Sequence, residues 1–222
     1  MKYFLGLIII TYLLSSCGQR TIESKNQTPD TVKNSTTEVI TKTVDIFADS
    51  NFTFVSIDSL NEDMLFDESE KGKTQFIKSR KSFKQEHCEF FKTGCTNSFW
   101  DDYTFLVAKQ DMIGDILPII IHTSKDFNYY HSELHTLDKN HNKVDILIVS
   151  LDGFDQEPED DYSTITKAKS RFKSDLIITT NVKFRRYRKA NRDSLVTVDS
   201  TIVYRRIEKT GKIIIDKTEK II

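Results

Sequence analysis

The chain has 222 residues and a formal charge of −1, which is long enough for one domain with a sizeable core. Apolar residues make up 38 %, and 15 Phe and 8 Tyr supply surface to bury, so the composition excludes wholesale disorder. A content of only 7 Gly and 3 Pro excludes a collagenous chain. The near-zero net charge gives no long-range field that would attract nucleic acid, so no nucleic-acid partner is predicted.

The first sixteen residues have the layout of a secretory signal peptide. Lys2 supplies a positive charge, an apolar run covers residues 3–14, and the small residues Ser15 and Ser16 follow. The apolar run is shorter than the roughly 20 residues that a membrane-spanning helix needs. The sequence therefore predicts that residues 1–16 direct export.

Leu14-Ser15-Ser16-Cys17 resembles the bacterial lipobox, in which a small residue precedes the cysteine. In lipoproteins of this type the cysteine sulfur is acylated, the preceding peptide is removed, and the new amino group is usually acylated too, so palmitate modification is expected. The resemblance implies that Cys17 is the lipid attachment site. Each buried methylene contributes about 0.8 kcal/mol, so two or more acyl chains would hold the protein stably at a membrane.

A polar segment separates the predicted anchor from the rest of the chain. Residues 18–42 are rich in Ser, Thr, Asn, Lys and Glu and have no hydrophobic period, which indicates a flexible tether spanning roughly 25–30 Å. We predict a signal peptide over 1–16, a lipidated cysteine and tether over 17–43, and one β-rich domain over 44–222. The predicted location is the cell envelope, lipid-anchored at the outer membrane on its periplasmic or surface face.

Residues 44–222 show the period-two alternation of β-strands, most clearly near the end of the chain. Ile178, Thr180, Val182 and Phe184 fall on one face, and the pattern repeats through Ile202. Turns are predicted over 138–142 and, around a glycine, over 209–212, and Pro118 predicts an edge strand or one that begins at Ile119. The fold class is mainly β: an antiparallel meander of about eight strands curled into a sandwich or barrel, with a short helix possible around 76–91.

Two further cysteines, Cys88 and Cys95, lie in the predicted exported domain, where disulfides persist. A short-loop disulfide between them is the favoured interpretation. The alternative is a metal site of His87, Cys88 and Cys95, which would have irregular spacing and no C-x-x-C pair. We therefore predict a disulfide and no metal there.

Other patterns that resemble metal sites are also disfavoured. His131 and His135 would share a face of a helix, but on a strand four residues span roughly 13 Å, too far for one zinc ion. The sequence around them favours a strand. An acidic stretch over 152–161 lacks the order of a calcium loop, and it is interpreted as a solvated loop. A weak calcium site there would use Asp155, Glu157, Asp160 and Asp161. No metal and no cofactor are predicted.

A basic run over 183–192 follows Lys167, Lys169, Arg171 and Lys173. Strand alternation splits the run between two faces, which indicates a solvated sheet surface whose long basic stems cover the strands. The functional alternative is contact with anionic lipopolysaccharide, phospholipid headgroups or acidic glycans.

The chain as a whole resembles the uncharacterised small β-meander lipoproteins of Bacteroidota, through its lipobox, its tether and the turn in "YRRIEKTGK". Asp-Ser/Thr-aliphatic triplets at Thr31, Ser59 and Ser194 resemble glycosylation sites of exported proteins in that group. The sequence contains no G-x-S-x-G, H-E-x-x-H, Walker A or G-x-G-x-x-G motif, so no catalytic residues and no enzyme activity are predicted. We expect a membrane-anchored binding or scaffolding module, for which the partner class (protein, glycan or small molecule) stays open. The alternative is a lipocalin-like carrier of a small apolar ligand.

Overall fold

The computed structural model describes residues 45–65, 69, 83–93, 104–125, 129–156, 162–189 and 192–221. These residues belong to one compact unit, Thr43–Ile222. The predicted signal peptide, Cys17 and the tether lie outside the described residues and stay predictions. In the described ranges, no helix is long and apolar enough to cross a membrane.

In the described ranges the unit is built mostly from strands. There, a 3₁₀ turn covers Asp49–Asn51, and two short helices are α1 (Glu62–Leu65) and α2 (Gln85–Phe91). The nine strands of these ranges are β1 (Ser59–Leu60), β2 (Thr104–Lys109), β3 (Leu117–Lys125), β4 (Tyr129–Leu137), β5 (Lys143–Gln156), β6 (Tyr162–Lys173), β7 (Leu176–Lys189), β8 (Arg192–Ile207) and β9 (Ile213–Lys220).

Strands β2 to β9 lie side by side in chain order, and each pairs antiparallel with the next. The predicted mainly β fold, an antiparallel meander of about eight strands, is confirmed; β1 adds a ninth strand of two residues. Over the described strands the sheet is curled and does not close into a barrel, since β2 and β9 stand at opposite ends of the ladder. Residues 85–91 of the predicted 76–91 helix are helical, and residues 76–82 lie outside the described ranges.

The sheet divides between β5 and β6, and the N-terminal segment enters the division. The β5–β6 ladder ends at Leu151↔Ala168. Beyond that point β6 pairs with β1 instead, through Leu60↔Ser170. Phe54, five residues before β1 begins, forms a parallel bridge to Ala108 of β2. The segment from Phe54 to Leu60 therefore links β2 to β6. Helix α1 begins two residues after this segment ends.

Both predicted turns are confirmed. In the β4–β5 turn, the Asn140 and Asn142 N–H groups donate to Asp138 Oδ1 at 2.8 Å each, and His141 has φ 61°. In the β8–β9 turn, Gly211 has φ 86° and its carbonyl accepts a 2.6 Å hydrogen bond from Thr136 Oγ1. The second turn is thus held against β4.

Strands β2 and β3 and the second half of β4 bury most of their side chains on both faces of the sheet, and alternation assigns these side chains to two cores. The main core lies on one face and the second core on the other, beneath α2 and the segment around the 3₁₀ turn. The main core contains Leu60, Leu65, Phe105, Val107, Ala108, Ile116, Ile120, Leu134, Val149, Ile177 and Ile207. The second core contains Phe47, Phe52, Phe91, Leu106, Leu117, Ile119, Ile121 and Leu137.

The expectation drawn from Pro118 is wrong. Strand β3 begins at Leu117, includes Pro118, and has a neighbour on each side. Proline is tolerated because the β2–β3 ladder ends one residue away, at Lys109↔Ile119, and the Pro118 carbonyl accepts a 3.0 Å hydrogen bond from the Gln110 N–H beyond the end of β2. The missing N–H therefore interrupts no ladder bond.

Candidate functional site

Two adjoining cavities lie on the face of β6, β7 and β8 that points away from the main core. One has a volume of about 250 Å³ and the other about 380 Å³. They share Asn61, Lys169 and Thr180 in their walls, so together they form one groove, called here the ligand groove. Its apolar floor consists of Ile178, Val182, Phe184, Ile202 and the ring of Tyr204.

The strand register explains why these side chains share one face. Ile178 pairs with Arg171 on one side and with Tyr204 on the other, and Thr180 pairs in the same way with Lys169 and Ile202. Directly paired residues of an antiparallel sheet point to the same face. The alternation predicted for residues 178, 180, 182 and 184 is therefore confirmed. The β6 residues paired with them add a row of cations on the same face.

The two faces of β6 and β7 carry side chains of different size and polarity, and the larger apolar ones are on the more exposed face. The face towards the main core buries small and hydroxyl-bearing side chains, among them Ser170 and Thr179, whose hydroxyls are 2.9 Å apart. The larger apolar side chains Ile178, Val182 and Phe184 are on the groove face and are only half-buried. A contiguous, partly exposed apolar surface of this kind is typical of an interaction site.

The charges around the groove are distributed unevenly. At one end, Lys169 and Arg171 are exposed and form no ion pair within the part of the chain that the structure describes. At the other end, Lys167 Nζ is 2.9 Å from Asp152 Oδ2, and Asp63 also lines the wall. The Asp152 hydrogen bond raises the pKa of Lys167. The groove thus has a basic end and an end where charges are mixed.

Beneath the groove, Glu62 of α1 reaches into the main core and meets His122 of β3. Glu62 Oε2 is 2.9 Å from His122 Nδ1, and the Ser132 hydroxyl donates to Glu62 Oε1 at 3.1 Å. Both side chains are almost inaccessible. Burial raises the pKa of Glu62, but hydrogen bonds and charge from His122, with the hydroxyls of Ser150 and Ser132, outweigh it and leave that pKa below its ordinary value.

These three residue types also occur in hydrolase triads, but their arrangement here is different. In a triad the nucleophile and the carboxylate contact different ring nitrogens of the histidine. Here Ser132 Oγ lies 3.4 Å from His122 Nδ1, the same nitrogen that faces Glu62. Ser132 itself is fully buried. The group joins α1 to β3 and β4, and we interpret it as structural; the absence of enzyme activity stays a prediction.

A second carboxylate lies between the two histidines that the sequence singled out. Strand β4 places His131, Glu133 and His135 at alternate positions on the second-core face. Glu133 Oε1 is 3.2 Å from His131 Nε2, and Oε2 is 2.9 Å from His135 Nε2. These hydrogen bonds hold the pKa of Glu133 well below its ordinary value. The strand prediction is confirmed, and the sequence analysis missed Glu133, which alternation along a strand could have identified.

The structure also locates the other predicted metal-binding patterns. Cys88 is buried and disulfide-bonded, and His87 Nδ1 accepts a 2.9 Å hydrogen bond from the Lys84 N–H. Cys95 lies outside the described residues, so its pairing with Cys88 stays a prediction. The solvated loop predicted over 152–161 is wrong for residues 152–156, which include Asp155 and belong to β5, and Glu157, Asp160 and Asp161 lie outside the described residues. Over the ranges described, no group of three or more His, Cys, Asp or Glu side chains is arranged to hold a metal ion.

The basic run is divided as strand alternation requires. Lys183 is exposed on the face opposite the groove, whereas Phe184 points into the groove. Ser59 of one Asp-Ser-Leu triplet is exposed and lines the basic end of the groove.

Comparison of the chain with protein-family models, with curated proteins and with solved structures found no match.

Proposed function

We propose that the protein is a membrane-anchored lipoprotein of the cell envelope that binds a ligand through the ligand groove and carries out no chemistry. The observation that carries this proposal is the groove itself, where apolar side chains are half-buried beside Lys169 and Arg171, which form no ion pair among the described residues. Ligand sites in proteins are concave and mostly apolar, with a few polar groups that fix orientation. The cavity that contains Val182 and Phe184 has that composition, and the adjoining cavity has a more polar wall that includes Lys169 and Arg171.

The membrane anchor is supported by the N-terminal sequence, in which Cys17 follows an apolar run and small residues. The tether of residues 18–42 would let the domain reach ligands beyond the lipid headgroups. Substitution Cys17→Ala tests this part. We expect the wild-type protein to incorporate an alkyne-labelled palmitate and to sediment with membranes, and the variant to do neither. Equal labelling and sedimentation of both proteins would contradict the anchor.

The binding role is tested by photo-crosslinking in intact cells. Ile202, on the groove floor, and Lys183, exposed on the opposite face, are replaced in turn by p-benzoylphenylalanine. We expect an adduct from position 202 that position 183 does not give. Identical adduct patterns from the two positions, or none from either, would contradict a binding role for the groove.

A carrier of a small apolar ligand is the second candidate, because the cavities are of the size that small ligands occupy. Such a ligand would lie in the groove and not inside the main core, since Phe105, Ile120 and Leu134 are almost completely inaccessible there. A carrier should release its ligand to an acceptor membrane, whereas a receptor or scaffold should retain it. Transfer of a bound fluorescent ligand to empty vesicles distinguishes the two.

A further inference from the structure

We infer that the groove takes one acyl chain of a lipid whose anionic headgroup is held by Lys169 and Arg171. This inference rests on the proposed binding function and names its ligand class. It combines three properties of the groove: its length, its apolar floor, and the position of the exposed cations Lys169 and Arg171.

The length fits an acyl chain. The floor extends along β7 from Ile178 to Phe184, six residue steps at about 3.3 Å each, or about 20 Å. The hydrocarbon core of a bilayer is about 30 Å thick, so an acyl chain of one leaflet extends about 15 Å. A single extended chain can therefore lie along the floor and leave its headgroup at one end.

The floor requires an apolar occupant. Ile178, Val182, Phe184 and Ile202 are half-buried on one face of β7 and β8, with Thr180 between Ile178 and Val182. A free inorganic anion would leave this apolar surface exposed to water, and an uncharged hydrocarbon would leave the cations unused. An amphiphile satisfies both parts of the groove.

The charge distribution fixes the orientation. Lys169 and Arg171 are two positions apart on β6, so both point to the groove face, about 7 Å apart along the strand. Ser59 lines the same end, and Thr180 lies where the two cavities meet. A carboxylate or phosphate there would accept charge-assisted hydrogen bonds from both cations. At the opposite end Lys167 is already paired with Asp152, and Asp63 adds a further negative charge, so this end is the less favourable one for an anionic headgroup and the acyl chain extends towards Phe184.

The inference is tested on the mature full-length lipoprotein in nanodiscs of phosphatidylcholine, which has no net charge. The probe is a fatty acid that carries a diazirine for photolabelling and an alkyne for detection, and labelled sites are mapped by peptide mass spectrometry. The test variant is Lys169→Gln/Arg171→Gln. The matched control, Lys183→Gln/Lys209→Gln, removes the same charge from exposed positions outside the groove. Circular dichroism checks that all proteins are folded.

We expect labelled peptides from β7 and β8, and labelling at least tenfold weaker in Lys169→Gln/Arg171→Gln but unchanged in the control. An excess of dodecyl phosphate should block labelling, while dodecyl maltoside and inorganic phosphate should not. The inference is overturned if the groove is not labelled, if both double variants lose labelling equally, if the neutral amphiphile competes equally well, or if inorganic phosphate alone blocks labelling.

This result is separable from the test of the binding role. If crosslinks from position 202 identify a peptide or a neutral glycan while the fatty-acid probe does not label the groove, the ligand class named here is wrong and the binding function stands. If position 202 gives no specific adduct and the probe labels no groove peptide, both proposals fail.

Discussion

Replacing both members of the Glu62–His122 pair should cost far less stability than replacing either one. Removing one partner of a buried ion pair costs about 3–5 kcal/mol, because the other group stays buried without compensation, whereas replacing the whole pair by apolar residues is often neutral or stabilising. Glu62 is 4 % exposed and His122 is 0 % exposed, so little solvent can compensate for a lost partner. The stacking of His122 on Phe105, with ring centroids 4.8 Å apart, suits a phenylalanine at position 122.

We therefore expect Glu62→Leu and His122→Phe each to lower the free energy of unfolding by about 3–5 kcal/mol. The double variant should lie within about 2 kcal/mol of the wild type, allowing for imperfect packing of the new side chains. Equilibrium urea denaturation of the mature protein, followed by circular dichroism, measures all three. Because the pKa of Glu62 is below its ordinary value in the folded state, the pair's contribution should be present above about pH 4.5 and decline as the pH falls further. Two small, additive single effects would refute a coupled buried pair.

Three other predictions follow from the strands and turns. Gly211→Ala should lower the free energy of unfolding, measured by urea denaturation, more than Gly114→Ala does. Both alanines would have to adopt positive φ, which costs about 1–2 kcal/mol. Of these two positions, only Gly211 would bring a Cβ within 3.0–3.1 Å of neighbouring side chains. The pKa of Glu133 is lowered in the folded state, so its stabilising effect should be lost as the pH falls below about 4.5, and Glu133→Gln should show a smaller loss of urea resistance between pH 5 and 3 than the wild type. Urea-denatured mature protein should show no free thiol before reduction and two after it if Cys88 and Cys95 are bridged and Cys17 is acylated; two reactive thiols before reduction would contradict the disulfide.

Local pattern was enough to predict most strands of the sheet and both turns, but it did not identify β1 or β6. Period-two alternation through Ile178 and Ile202, and turn residues such as Asp138 and Gly211, specify antiparallel neighbours without any long-range information. The prediction from Pro118 was wrong because a single proline does not indicate where the neighbouring ladder ends. Here the β2–β3 ladder ends at Ile119, so the N–H that Pro118 lacks would not have formed a ladder hydrogen bond.

The sites were harder to predict because long-range packing assembles them. Glu62 meets Ser132 across 70 residues of sequence, and no local pattern signals that contact. Alternation places Ile178 and Thr179 on opposite faces, but it cannot say which face is covered. That depends on β1 and α1, which occupy the division between β5 and β6 and leave Ile178 in the groove.

The most direct test of the whole account is mass spectrometry of the protein extracted from its own membranes in a neutral detergent. Under denaturing conditions, we expect a chain that begins at Cys17 and carries covalent acyl groups. Under native conditions, we expect an additional bound acidic lipid, which Ile202→Glu should remove by placing a negative charge on the groove floor. An unprocessed, unacylated chain would contradict the anchor, and a ligand-free mass for both the wild type and the variant would contradict the groove as a binding site.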